Sequence, residues 1–211
     1  MNNRSNLITS VVPMHRATAF TVILSLVLLN WSCAPKKTET PVSVEPTAEV
    51  TEKIPAVTPA YQVDTVFQTQ LNGVYKAYLK LKDALVASDA EASRLAAAGM
   101  GKALAVVNAD LLTGAARNDW NTFSPELGKP LRMIASAADV KEARTAFSTL
   151  SESMWKAISA FGAGGQVVYH DYCPMALENK GAFWLSAGEE IRNPYFGDAM
   201  LECGYAKEKV N

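Results

Sequence analysis

Five side chains near the C-terminal end of this 211-residue sequence carry its most specific chemistry: His170, Cys173, Met175, Met200 and Cys203. Thiolate and thioether sulfurs are soft donors, and together they select Cu(I) or a similar ion over hard cations. Cys173 and Met175 stand two apart, with Pro174 stiffening the loop between them. Met200 and Cys203 stand three apart, which places them on one face if that piece is a helical turn. If the two pieces meet, four sulfurs converge, with His170 as a nitrogen donor within reach and Asp171 beside it as a group to orient the ring. The turn Asn193-Pro194-Tyr195-Phe196-Gly197 lies between the pieces and is expected to aim Met200 and Cys203 at the first loop.

The same residues admit a structural use. In an oxidising compartment Cys173 and Cys203 are candidates for a disulfide. Closing a loop of about 30 residues would add roughly 3–4 kcal/mol in the chain-entropy view. Met175 and Met200 would then fill a small core with Phe183, Trp184, Leu185, Ile191 and Phe196. Both uses stand open, and metal binding by the reduced pair alone would join them. Catalysis has little support. There is no phosphate-cradling Gly-rich motif, no Cys-x-x-Cys, no haem attachment motif and no nucleophile elbow. A Cys173–His170 nucleophile pair would lack an identifiable oxyanion site. The reading is a binding protein and not an enzyme.

The compartment is read from the other end of the chain. Ala17 to Leu29 is uncharged and largely apolar, and His15 and Arg16 precede it. It is shorter than the roughly 20 residues of a membrane span and fits the apolar region of an export signal. Residues 1–32 are therefore expected to be a signal peptide, with Met14 as an alternative start. Cys33 follows Leu29-Asn30-Trp31-Ser32, which resembles a bacterial lipoprotein signal. Lipidation of Cys33 would anchor the chain to a membrane and leave two cysteines for other work. Residues 33–60 hold prolines at 35, 41, 46, 55 and 59 and no helical period, so they read as a disordered, extended spacer. The expected location is the periplasmic side of the envelope. Formal net charge is −1, and without a basic stripe there is no electrostatic footprint for nucleic acid.

Residues 61–166 must position the end motif. Phe67, Leu71, Val74, Tyr78, Leu81 and Leu85 recur at alternating spacings of four and three, the stripe of a packed helix. Gly73 within it suggests close packing. Ser88-Asp89-Ala90-Glu91 has the form of a capping box opening a second helix with Leu95, Leu104, Val107 and Leu111 on its stripe, and Gly99 and Gly101 as interruptions. A third helix is placed between Asp119 and Ala138, its period broken by Pro125 and Pro130. Asp139 caps a fourth, which Gly162, Gly164 and Gly165 end. The expected class is all-α: an antiparallel bundle of about four helices, with residues 167–211 packed on it as an irregular part of the same domain.

Tyr169, Cys173-Pro174-Met175-Ala176, Asn179-Lys180-Gly181-Ala182, Trp184-Leu185-Ser186, Glu190-Ile191, Asn193-Pro194-Tyr195-Phe196-Gly197, Met200-Leu201 and Cys203-Gly204 together resemble the DUF3347 family. The resemblance extends over about Val63 to Lys207. It implies a small, exported, helical domain, found alone or attached to periplasmic adaptors of heavy-metal efflux pumps, that binds copper or a related soft metal. A pump or a metal acceptor protein would be its partner. Tyr172 stands where the family pattern places a histidine before the cysteine, so His170 is the remaining candidate. The chain is too short and too helical to be a complete efflux adaptor.

Overall fold

The computed structural model describes residues 53–211. The export signal, Cys33 and most of the spacer lie outside the described residues. Four helices follow one another: α1 (Thr65–Val86), α2 (Ala90–Ala105), α3 (Gly114–Ala135) and α4 (Val140–Phe161). Short connections join them, and each packs on the next, α1 on α2, α2 on α3 and α3 on α4. All six stripe residues of α1 are fully buried. Phe67 packs edge-on against Trp120 and Phe161 at centroid separations of 5.2 Å, joining α1, α3 and α4 at one end of the bundle. Asp64 caps α1, and the Asp139 carboxylate accepts from the Glu142 N–H to cap α4. Gly162 ends α4 with φ 75°.

Several local expectations change. The cap of α2 is Asp89, whose carboxylate accepts from the Ala92 N–H at 2.9 Å. Ser88 sits before it at φ 56° and receives Arg144 instead. Leu95 is 65% exposed, because the buried face of α2 is Ser93, Ala97 and Met100. Gly99 and Gly101 do not interrupt the helix. α3 begins at Gly114 and runs through both Pro125 and Pro130. Gly73 is exposed, and a Cβ there would have no neighbour within 4 Å, so it marks no close contact.

The all-α expectation is corrected by a four-stranded mixed sheet built from β1 (Ala56–Val57), β2 (Val168–Cys173), β3 (Ala182–Ser186) and β4 (Tyr205–Val210). The order is β1-β4-β2-β3, with β1 parallel to β4 and the other neighbours antiparallel. The end motif thus supplies three of the four strands, with irregular chain confined to its connections. β1 lies within the stretch read as spacer, where the Lys209 N–H also donates to the Pro55 carbonyl at 2.9 Å.

β3 is an edge strand, and two tyrosines occupy its outer edge. Leu185 N–H donates to the Tyr78 hydroxyl at 3.0 Å, and the Tyr195 hydroxyl donates to the Phe183 carbonyl at 2.5 Å. Tyr78 is 2.8 Å from Ser151 Oγ, which donates to the Phe147 carbonyl at 2.9 Å. With the serine hydrogen committed to Phe147, Tyr78 donates to Ser151 and accepts from Leu185. One buried chain of hydrogen bonds therefore links the sheet to α1 and α4.

Tyr78→Phe leaves the buried Leu185 N–H without its acceptor. A loss of about 1–3 kcal/mol is expected, read in denaturant unfolding as a lower midpoint at unchanged slope. Gly73→Ala removes a helix-interior glycine at an open position. A gain of about 1 kcal/mol is expected, seen as a rise of roughly 2–4 °C in Tm.

Candidate functional site

β2 brings Asp171 and Cys173 to one face and His170 and Tyr172 to the other, because strand side chains alternate. After Cys173 the chain makes a left-handed turn. Leu177, Glu178 and Asn179 have φ of 50°, 63° and 65°, a conformation that costs L residues about 1–2 kcal/mol each. The turn returns the chain to β3, where Ala182 pairs with Cys173.

The second sulfur arrives by another route. The Asn193 side chain accepts from the Tyr195 N–H at 2.8 Å and donates to the Cys203 carbonyl at 2.7 Å, while Asn193 N–H donates to the Leu201 carbonyl at 2.8 Å. One asparagine thus fixes both the start and the end of the loop that carries Met200 and Cys203. Arg144 Nε donates to the Pro194 carbonyl at 2.7 Å, holding the loop on α4. Gly204, at φ 140°, follows Cys203, and a Cβ there would lie 2.7 Å from Trp184 and 2.9 Å from the Tyr172 carbonyl. A glycine is needed for Cys203 to approach β2 this closely.

The result is that the Sγ atoms of Cys173 and Cys203 stand 2.7 Å apart, inside the van der Waals contact of two sulfurs and with no bond between them. Cys173 is fully buried and Cys203 half-buried. The Cys203 thiol is pushed up to about 11, first by its hydrogen bond with Cys173 and then by burial. Cys203 and Met200 line a surface depression of about 450 Å³, with Asp198 and Glu202 on its rim. Met200 and Cys203 are joined by a turn, Cys203 N–H to the Met200 carbonyl at 3.2 Å, and not by a helical turn. Met175 is 47% exposed on the loop after Cys173.

His170 does not join the sulfurs. Its ring is stacked between Trp155, at 4.2 Å, and Phe183, at 4.4 Å. Glu208 Oε1 is 3.0 Å from its Nδ1 and takes the orienting role expected of Asp171. Burial lowers its pKa and keeps the imidazole neutral. Nε2 is buried without a partner. Among the described residues no three His, Cys, Asp or Glu side chains are grouped as metal ligands. Of the five side chains singled out in the sequence, the fold brings the sulfurs of Cys173 and Cys203 into contact.

Asp171 was assigned only an orienting part, yet it is fully buried and neither carboxylate oxygen has a hydrogen-bond partner. Its cross-strand partner is Trp184, whose indole N–H is also unpartnered, as is the nearby Tyr75 hydroxyl. Ser186 Oγ is turned to the Gly188 carbonyl. Burial pushes the Asp171 carboxyl up to about 6, against partial relief from the Lys82 charge. Nothing in the sequence around Asp171 marks this burial except its position inside a strand covered on both faces.

The architecture is a small four-helix domain closed by a mixed sheet, with two cysteines meeting at the end of strand β2. Residues 74–166 match the family model DUF3347, described as a protein of unknown function. The resemblance to that family is thereby shown over the helical body; the matched segment stops before β2 and the thiol pair. No curated protein and no solved structure matches the chain.

A carboxyl whose folded pKa lies above its unfolded value of 3.8 stabilises the fold in its neutral form. That contribution is complete below about 3.8 and is lost as pH rises through about 6, a difference of about 3 kcal/mol. Asp171→Asn removes this dependence. Guanidinium unfolding is expected to show the variant gaining on the parent chain from pH 4 to pH 7.5, with the two converging at the acid end.

Proposed function

We propose that this chain is an exported, membrane-tethered protein that binds a soft metal ion, Cu(I) foremost, through Cys173 and Cys203. The observation that supports the reading is the convergence of the Cys173 and Cys203 sulfurs from segments 30 residues apart, which a bound ion would hold further apart than their present 2.7 Å. Two sulfurs with a thioether beside them suit a soft monovalent ion of low coordination number; they do not supply the four ligands of a structural zinc. Met200 lines the same depression as Cys203 and is the further sulfur proposed to join them. Met175 stands exposed at the mouth of the first loop, where it would make first contact with an incoming ion. His170 is left out of the ligand set.

The chemistry at the pair is proton exchange. Both sulfurs must be thiolates to bind, so binding releases their protons and apparent affinity rises with pH. The buried, neutral His170 cannot take the proton of Cys173 from the opposite face of the strand, which supports a binder over an enzyme with a Cys–His nucleophile. In the cell the domain would hang from a lipidated Cys33 on the periplasmic side, as buffer or chaperone for the ion, and pass it to an efflux pump or acceptor protein. No described helix is long and apolar enough to cross a membrane, which leaves anchoring to the segment before it.

The sulfur contact also favours a second reading, a Cys173–Cys203 disulfide that staples the end of the sheet in a structural or interaction module of the envelope. An anaerobic Cu(I) titration of the reduced chain separates the two. One tightly bound equivalent is expected, tighter at pH 8 than at pH 6, and lost in Cys173→Ser and in Cys203→Ser but retained in His170→Gln. Absence of binding by the fully reduced protein, or binding that survives both serine variants, rejects the metal site.

A further inference from the structure

α2 is a poorly covered helix. Of its sixteen residues only Ser93, Ala97 and Met100 are buried. A helix facing water ordinarily carries a polar outer stripe. Here that stripe holds Leu95, at 65% exposure, and exposed Ala98, Gly99 and Ala105, with its charges confined to Glu91 at one end and Lys102 near the other. Val106, directly after the helix, is 68% exposed. Beside the stripe lies a groove of about 690 Å³ between α2 and α3, walled by Ala98, Gly101, Ala105 and Gly128. Its only charged lining residues are Lys102 and Arg132.

We propose that a second copy of this chain docks on this face, α2 packing antiparallel against α2 about a two-fold axis, with each Leu95 seated in the groove of the other copy. A projecting apolar side chain and a small-walled groove on the same face form the self-complementary surface that such a symmetry requires. Charge selects the same occupant. The groove offers two cations and no carboxylate, and Glu91, one turn before Leu95 on the same stripe, supplies the carboxylate. Antiparallel packing carries the N-terminal turn of one α2, with Glu91, toward the C-terminal turn of the other, with Lys102, and sets the two helix dipoles in opposition. Glu91 is at present paired only with Arg94, and its side chain is 67% exposed; such a surface pair is weak and free to exchange. The walls of glycine and alanine let the two backbones approach.

The test is sedimentation velocity on the full chain in detergent, under reductant, over a concentration series. A dimer is expected, converted to monomer by Leu95→Glu and weakened at least tenfold by Lys102→Glu. The double variant Glu91→Lys, Lys102→Glu is expected to restore it. Far-UV circular dichroism matching the parent chain confirms that each variant is folded; Leu95 and Lys102 are exposed, so loss of fold is not the expected effect. A monomer at every concentration, or a dimer unmoved by Leu95→Glu, overturns the proposal. Failure of the double variant to restore association overturns the antiparallel arrangement.

Discussion

The hydrogen-bond chain from Leu185 through Tyr78 and Ser151 to Phe147 is the interaction on which the rest depends. A sheet edge presents backbone groups that must find partners or water, and β3 is pressed against α4, where water has little access. Two phenols solve the problem, Tyr78 from the bundle and Tyr195 from the loop before Met200. Each ring is a large buried apolar body with one polar atom at its tip. The same side chains therefore fill the core and close the edge. Because the hydroxyls have fixed donor and acceptor roles, they also set the register of β3 against the helices. Through the β2–β3 pairing that register fixes where Cys173 stands.

Cys203 is placed by constraints of another kind. It is not in a strand, and no apolar stripe holds it. Asn193 ties the two ends of its loop, Arg144 ties the loop to α4, and Gly204 removes the one carbon that would keep it from β2. The two sulfurs thus meet between a rigid strand and a loop secured at three points. The left-handed residues Leu177 to Asn179 show that the opposite side of the site is held at a conformational cost.

The helices were legible because their apolar residues fall at three and four, and because Asp139 and Gly162 mark the ends of α4. The prolines misled about α3: tertiary packing carries the helix through both. The sheet was hidden for a physical reason. β2 is covered on both faces, so Val168-Tyr169-His170-Asp171-Tyr172-Cys173 shows no alternation of apolar and polar residues, and its histidine and aspartate look like surface. β1 is two residues in a proline-rich stretch and is a strand only because β4 lies beside it. The placement of His170 has the same cause: on a strand a separation of three sends two side chains to opposite faces, so His170 faces away from Cys173. The cysteine pairing was open from sequence and is answered only as proximity: the fold brings the sulfurs together.

β4, the last strand of the chain, does not lie at an edge; it is inserted between β1 and β2. Ala56 has its partner at Lys209, almost the whole described chain away. During vectorial synthesis the helices can collapse on local contacts, but β1 has no neighbour in the sheet until β4 emerges. Contacts that span so much sequence form late. Only Gly204 separates Cys203 from β4, so the two sulfurs come together in the same closing step, and loss of β4 would expose the facing edges of β1 and β2 at once.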